Sequence, residues 1–206
     1  MVYFHRTFYA WNPVEMLARQ QAIEILTERS QGAPWTKHCF AVAESALVIG
    51  VALAQHRAVD SSFLWSAALL HDIGRHVTHD PVLHGVAGYK FLSALGHQKE
   101  ARVCASHILF GLKADEAAQF GLPACDFVPC TIEEQLVTLA DFLLEFDQPT
   151  TLERRFSSLR RRNVDNPFFL ERLDRAFASA RSVMAQIEQD IGESIERMVA
   201  LQDQRS

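Results

Sequence analysis

Six residues of the kinds that bind metal ions interrupt otherwise apolar stretches of this sequence. They are four histidines and two aspartates: His38, His71, Asp72, His84, His107 and Asp141. Burying several unpaired imidazoles and carboxylates is costly unless a partner compensates them, and a divalent cation does so. Imidazole suits Mn, Fe, Ni, Co and Zn, while carboxylate oxygens also accept harder ions such as Mg. The residue types therefore predict a divalent metal site.

The six residues can be arranged around one ion or two. Adjacent helical residues point about 100° apart, so His71 and Asp72 can share an ion only at a terminal turn beside a cavity. His38 and Asp141 would complete this first site from facing helices, as in the cores of helix bundles. The second oxygen of Asp72 would then bridge to another ion, for which His84 and His107 supply the remaining ligands.

The elements that must position these residues are predicted to be helices. Helical periodicity runs through nearly the whole chain, and alternating β-branched runs closed by Asn-Gly or Asp-Gly turns are absent. We expect helices over residues 13–29, 35–55, 63–73, 84–95, 98–110, 131–146 and 166–202, a short helix within 114–123, and an aromatic arm at 3–11. Gly74 is suited to end the third helix, with His71 and Asp72 in its last turn. The fold class is all-α.

The part of the chain after the last aspartate is more charged. Residues 151–163 carry five arginines and indicate a solvent-exposed helix face. The C-terminal helix from Asn166 to about Gln202 has apolar residues at steps of three and four, and such a seam needs a partner. It either folds back over the first helix or forms a homodimer. We expect an N-terminal arm and helix (1–34), a central domain (35–148) and a helical extension (149–206).

Composition limits the classes of function. The 206 residues have a formal net charge of -5, which argues against a nucleic-acid polymer as partner. No run approaches about 18 consecutive apolar residues, and the start lacks a signal peptide's basic and apolar regions. We therefore expect a cytoplasmic chain without a membrane partner. Cys125 and Cys130 have no second pair to complete a zinc site.

The order of the six residues resembles the HD superfamily of metal-dependent phosphohydrolases, whose pattern is H…HD…H…H…D, over roughly residues 36–146. The run Leu69-Leu70-His71-Asp72-Ile73-Gly74-Arg75 is similar to the HDIG signature, and Leu139-Ala140-Asp141 resembles the closing Ala-Asp. His84-Gly85-x-x-Gly88 is similar to the third-histidine segment of two-metal members. His107 is not followed by a second histidine or by the Asp-Gly-x-Gly-Tyr-Pro run of the branch that breaks cyclic dinucleotides. The sequence is closer to small, stand-alone HDIG hydrolases.

The resemblance implies an HD-domain helical bundle with a long C-terminal helix. It implies a hydrolase that cleaves a phosphomonoester or phosphodiester, of a nucleotide or related small molecule, with a metal-activated hydroxide. Asp72 would bridge the ions and orient the hydroxide. Arg75 would bind phosphate through its planar fork, or would only be a cation near a helix C-terminus.

Three other residues are candidates for contact with substrate. His76 and His79 would shuttle protons or contact the substrate, unless they are solvent-exposed loop residues, and Lys113 would bind phosphate.

Two other functions remain open. Some HD-fold proteins hold a di-iron pair and cleave C–C or C–P bonds with O₂, and a non-catalytic signalling module would keep the metal for stability.

Overall fold

The computed structural model describes residues 17–203, which form a helical fold. Its α-helices are α1 (Arg19–Ser30), α2 (Trp35–Leu53), α3 (Ser61–Leu70), α4 (Leu83–Ala94), α5 (Gln98–Ser106), α6 (Ala114–Gln119), α7 (Ile132–Phe142), α8 (Leu152–Arg162), α9 (Pro167–Ile191) and α10 (Ile195–Asp203). Short 3₁₀ turns, Ile73–His76 and Ile108–Phe110, follow α3 and α5. The all-α prediction is confirmed, although residues 17–203 also contain an antiparallel pair of two-residue strands, β1 (Leu144–Glu145) and β2 (Gln148–Pro149).

Helix α2 lies at the centre of the fold and packs against α3, α7 and α10. Its buried face carries His38 together with small and branched apolar residues such as Val42 and Ile49. By length and apolarity alone this helix is sufficient to cross a membrane, with a mean hydropathy of 1.4, but half of it is buried inside the fold. Its apolar character is accounted for by its position in the core.

Gly74 does not end the third helix, as was predicted. Helix α3 already ends at Leu70, and the turn that follows holds His71 and Asp72. A Cβ atom on Gly74 would lie only 1.9 Å from the carbonyl oxygen of His84 in α4. Glycine is therefore required because two backbone segments meet here, and not because a helix ends. This close approach brings α4 against the turn that holds Asp72.

Two other predicted helices are shorter than expected. Helix α5 ends at Ser106, before His107, and Leu109 and Phe110 then adopt left-handed φ values of 50° and 60°. Helix α7 ends at Phe142 instead of Phe146, because the chain turns into the β1–β2 hairpin. Phe146, in the turn of that hairpin, also has a positive φ, 59°.

The long C-terminal helix is interrupted. Gly192, with φ at 71°, ends α9, and α10 starts at Ile195. Helix α9 packs against α2, α7 and α8, while α10 packs against α2 and β2, with Ile195 and Val199 buried. The described part of the apolar seam therefore contacts the chain's own core. The division into three parts stays a prediction.

The start of the first helix also differs. Helix α1 begins at Arg19, after an extended Ala18, and the predicted aromatic arm and the predicted start at Pro13 lie outside the described residues.

Candidate metal centre

The six predicted ligands come from different elements, and their side chains meet in one place. They are held by the first turn of α2 (His38), the turn after α3 (His71, Asp72), the start of α4 (His84), the residue after α5 (His107) and the last turn of α7 (Asp141). We call these six residues the His/Asp cluster. All but Asp141 are buried, and Asp141 exposes only 13% of its side chain.

One half of the cluster is formed around Asp141. Its Oδ1 atom lies 3.0 Å from Nε2 of His38 and 3.9 Å from Nε2 of His71. Both imidazole Nε2 atoms are also 3.7 Å from Oδ2 of Asp72. Two carboxylate oxygens and two imidazole nitrogens thus face a common point.

The other half is formed around the second oxygen of Asp72. Oδ1 lies 2.9 Å from Nε2 of His84 and 3.6 Å from Nε2 of His107, and these two nitrogens are 3.2 Å apart. The two oxygens of Asp72 therefore face different groups of histidines. This is the geometry that a bridging carboxylate needs.

Backbone carbonyls fix the orientation of all four imidazoles. Since a carbonyl can only accept, each Nδ1 must carry the proton: His71 donates to Ala68 at 2.7 Å and His84 to Asp80 at 2.7 Å. The Nδ1–H groups of the other two donate in the same way, His38 to Phe146 and His107 to Val103. The Nε2 atoms of His71 and His84 then direct lone pairs into the cluster, and Nε2 of His38 does so once its proton is displaced. Such outer hydrogen bonds are a regular property of metal-binding histidines.

Two atoms at the centre of the cluster show that the site suits a cation. Nε2 of His71 and Oδ1 of Asp72 are buried and have no hydrogen-bond partner among the described residues. Buried polar atoms are costly to leave unsatisfied, so such pairs of orphaned acceptors need an explanation. A divalent ion would satisfy both, and histidine nitrogen with carboxylate oxygen is a donor set that transition metals accept.

The protonation states also favour metal binding. Burial lowers the pKa of His71 to about 4 and lowers the pKa of His84, so both imidazoles are neutral near pH 7. Burial raises the pKa of Asp72, but the charge of the adjacent Arg75 guanidinium leads the opposing effects, which hold that pKa well below its usual range. Asp72 is therefore an anionic group beside two neutral imidazoles.

His38 and Asp141 behave as an ion pair when no metal competes. Burial lowers the pKa of His38, but the hydrogen bond with Asp141 and the charges of Asp141 and Asp72 raise it more, so the net shift is upward. The same bond holds the pKa of Asp141 below its usual range against the effect of burial. A metal entering this half must displace a proton, which makes its affinity depend on pH.

A cavity of about 570 Å³ opens onto the cluster. We call it the entrance cavity; among its lining residues are Trp35, Lys37, His38, Asp72, Arg75, His79, Phe146, Asp147, Arg155 and Arg162. Arg75 donates through Nε to Oδ2 of Asp72, and 27% of its side chain remains exposed at the cavity wall. An anionic substrate entering here would meet arginines beside the cluster.

Arg155 is a site residue that the sequence analysis missed. Residues 151–163 were expected to form a solvent-exposed face, but Arg155 in α8 is only 9% exposed, and its Nη2 lies 3.8 Å from Oδ1 of Asp141. The prediction was wrong at this position because arginines occur all round α8, so the composition did not identify the buried side. The buried neighbours Leu152 and Phe156 were the available signal.

Two predicted substrate contacts are not brought to the cavity. The Nδ1–H of His76 donates to the carbonyl of Ile73, and its ring packs edge-on against Phe91. Lys113 is exposed and pairs with Asp126 at 2.9 Å. His79, from the same loop as His76, does line the entrance cavity.

Comparison with known proteins gives one family and several relatives. The profile of the HD domain matches residues 35–144. An uncharacterized protein of Methanocaldococcus jannaschii is 40% identical over 110 residues, which are 52% of this chain and 64% of that protein. A tRNA (cytidine(56)-2'-O)-methyltransferase of Thermoplasma volcanium is 32% identical over 119 residues, 57% of this chain and 35% of that protein.

A protein of the same name from Picrophilus torridus is 34% identical over 106 residues, 51% of this chain and 31% of that protein. The matched region thus spans between 31% and 64% of the length of these relatives. No solved structure is significantly similar to the chain. The HD profile covers all six residues of the cluster and ends before α8.

Proposed function

This chain belongs to the HD domain family, and from that premise we propose that it is a metal-dependent phosphohydrolase acting on a phosphomonoester or phosphodiester of a nucleotide or related small molecule. One observation carries the proposal. The four Nε2 atoms and two carboxylates of the His/Asp cluster converge at the end of a cavity whose wall also contains arginines. Membership of the family by itself suggests a metal-dependent enzyme.

The cluster would hold two divalent ions. His38, His71 and Asp141 would bind one, His84 and His107 the other, and Asp72 would contact both through its separate oxygens. When bound, such ions polarise a phosphoryl oxygen and lower the pKa of the attacking water.

Arginines beside the cluster would orient the phosphoryl group. Arg75 is fixed through Nε by Asp72, so its remaining N–H donors are available at the cavity wall. Arg155 lies beside Asp141, with its Nη2 atom 3.8 Å from Oδ1. A planar guanidinium matches the oxygens of phosphate with paired donors, and two of them beside one reaction centre neutralise charge there.

Aromatic side chains at the same cavity support a nucleotide or another aromatic phosphoester. Trp35 lies half-buried in the wall, while Phe146 is 69% exposed. A volume of about 570 Å³ lies in the range of about 300–1,000 Å³ typical of small-molecule sites. His79, which also lines this cavity, would transfer a proton to the leaving oxygen.

The names of the relatives do not change this proposal. The methyltransferases align with this chain over about a third of their length, and a buried cluster of histidines and aspartates is suited to hold metal ions. We propose a small-molecule substrate, with no nucleic-acid polymer or membrane as partner, and a cytoplasmic location. A homodimer would involve the C-terminal helices.

Elemental analysis of the purified protein, followed by hydrolysis assays with the metal found, tests the proposal. The assays use p-nitrophenyl phosphate, bis-p-nitrophenyl phosphate and a panel of nucleotides, each with Mn, Ni, Co, Zn, Mg or Fe. We expect hydrolysis, measured as release of p-nitrophenol or of phosphate, that needs the metal and is abolished by chelation.

Two results would overturn the proposal. Bound iron with consumption of O₂ and no hydrolysis of any phosphoester would indicate the di-iron oxygenase. A large stabilisation by metal with no turnover of any phosphoester would indicate a signalling module.

A further inference from the structure

A row of alternating charges leads from the His/Asp cluster to the mouth of the entrance cavity. Arg155 lies next to Asp141, with Nη2 3.8 Å from Oδ1. Its Nη1 lies 3.4 Å from Oε1 of Glu145, and Nη2 of Arg162 lies 2.9 Å from that same oxygen. Two guanidinium groups therefore point at a single anionic oxygen, one arginine away from the metal cluster.

Arg155 is poorly satisfied in this position. Its side chain is only 10% exposed, and Nε is buried without a hydrogen-bond partner among the described residues. Both of its ion-pair distances exceed the roughly 2.7–2.9 Å of a charge-assisted hydrogen bond. A buried guanidinium with long contacts and a free donor is arranged to accept a further anion.

The charges of the cavity also favour an anion. The entrance cavity has four cationic residues in its wall, namely Lys37, Arg75, Arg155 and Arg162. Four carboxylates in or behind the wall balance them: Asp72, Asp141, Glu145 and Asp147. Ions bound by the cluster would leave this balance strongly positive. Burial and the charge of Arg155 already lower the pKa of Arg162, as expected for crowded cations.

We propose that Arg155 and Arg162 form a second phosphoryl-binding subsite, so that the preferred substrate carries two adjacent phosphoryl groups, as a nucleoside diphosphate does. The inference rests on the proposed function, because the scissile phosphoryl group is placed at the metal cluster. The second group displaces the carboxylate of Glu145 from between the two arginines. The non-bridging oxygens of a phosphoryl group, two or three in number, satisfy two guanidinium groups better than the single oxygen of Glu145 does.

The subsite belongs to the part of the chain beyond the HD profile. The match ends at residue 144, while Glu145 follows immediately and both arginines lie in α8. Binding of the second phosphoryl group is therefore a property of residues after the family region.

Binding of non-hydrolysable phosphonates to the full, metal-loaded chain tests the subsite. Methylphosphonate carries one anionic group and methylenediphosphonate carries two, and isothermal titration calorimetry gives both dissociation constants. We expect Arg162→Gln to weaken binding of the diphosphonate about tenfold while changing that of methylphosphonate less than about twofold. The matched control is Arg161→Gln, an exposed neighbour on α8 outside this cavity, which should change neither.

Each other outcome has a definite meaning. If the preference for the diphosphonate survives in Arg162→Gln, chelation by the metal explains it and the subsite is excluded. Equal effects of Arg161→Gln and Arg162→Gln would indicate only the general charge of α8 and would also exclude it. Phosphonoacetate, with a carboxylate as its second anion, should bind more weakly than the diphosphonate; equal binding would overturn the phosphoryl assignment.

The two proposals fail separately. The subsite is read out by binding, so an absence of hydrolysis with every metal would remove the proposed function and leave the phosphonate result intact. A chain that hydrolyses phosphoesters but binds both phosphonates equally would lose only the subsite. Thermal unfolding of both glutamine variants verifies that they are folded, and because 42% of the Arg162 side chain is exposed, its replacement should be tolerated.

Discussion

The Nε2 atoms of His84 and His107 lie 3.2 Å apart, and each imidazole donates its Nδ1–H to a backbone carbonyl. Wherever neither Nε2 atom carries a proton, the two imidazoles present lone pairs to each other, which repel. A cation between them and Oδ1 of Asp72 would turn this repulsion into coordination. The second half of the cluster is thus suited to hold an ion of its own.

The number of ions per chain tests this half directly. We expect about two ions in the metal-loaded protein and about one in His107→Ala, because that change removes a ligand from one half only. Elemental analysis after metal loading and gel filtration gives the ratio. The control is His76→Ala, which lies against Phe91 and should keep the parent ratio. A single ion in the parent protein would make His84 and His107 substrate contacts.

Asp72→Ala should reduce metal binding and activity more than any other single change. Both halves lose an oxygen ligand, so we expect no retained metal and a loss of phosphohydrolase activity of at least about 100-fold. Helix content by circular dichroism should stay nearly unchanged, because the side chain of Asp72 supports no helix cap. Asp174→Ala, on the exposed face of α9, serves as control. Activity that persists in Asp72→Ala would refute the site.

Removing the metal should lower the thermal stability. A ligand that binds only the folded chain stabilises it by about 2.7 kcal/mol at 100 times its dissociation constant. We therefore expect the Tm of the metal-saturated protein to fall by several degrees when EDTA is added. The Tm of Asp72→Ala should not respond, and an equal response in that variant would place the stabilising metal elsewhere.

Gly74→Ala should be strongly destabilising. Its new Cβ would overlap the carbonyl of His84 at 1.9 Å, so α4 would have to move, at a cost of about 3 kcal/mol or more. Gly192→Ala is a useful comparison, since open space surrounds that position and only its φ of 71° is unfavourable. We expect a loss of about 1 kcal/mol there. Urea unfolding of both variants measures the difference, and equal losses would contradict the steric argument.

The ion pair of Glu116 with Arg172 predicts a pH-dependent stability. Burial raises the pKa of Glu116, but the backbone N–H of Lys113 and the guanidinium of Arg172 lower it more, so the folded-state pKa lies below the ordinary value. The contribution of this ion pair to the free energy of unfolding is therefore complete above the unfolded-state pKa of Glu116, about 4.3. It is lost as the pH falls through the lower, folded-state pKa. Glu116→Gln should be destabilised by about 1–3 kcal/mol at pH 7.

Urea unfolding of Glu116→Gln and the parent protein at pH 7, 5 and 3.5 checks this sign. The difference in unfolding free energy should be largest at pH 7 and should shrink at pH 3.5. A difference that stays constant with pH would mean that packing, and not charge, accounts for the effect.

Local signals in the sequence were enough to place several helix ends. The side chain of Asp60 accepts the N–H of Phe63, and Thr131 and Glu134 form a capping box. Both signals depend only on residues within one turn, so they can be found without knowledge of the tertiary structure. The six cluster residues were also identifiable, because polar residues inside apolar helices are rare enough to be noticed.

The errors arose where distant contacts decide the structure. Leu143 and Leu144 continue the apolar pattern of α7, but Leu144 pairs with Pro149 in the hairpin and the helix stops. Gly192 lies in an otherwise unbroken apolar pattern; its left-handed φ of 71° ends α9, and α10 then packs on α2. Arg155 was misassigned for a similar reason, since the side of α8 that is buried depends on where Asp141 lies.

The HD match ends at residue 144 and divides the site into two parts. The His/Asp cluster lies before that residue, whereas the hairpin with Phe146 and the α8 arginines lie after it. A chain with the same cluster and a different segment after residue 144 would therefore keep the proposed chemistry and gain another substrate preference through exchange of that segment. Such exchange is restricted at Phe146, whose backbone carbonyl accepts the Nδ1–H of His38 and so orients that imidazole. This hydrogen bond constrains the backbone path of the hairpin more than the identity of its side chains.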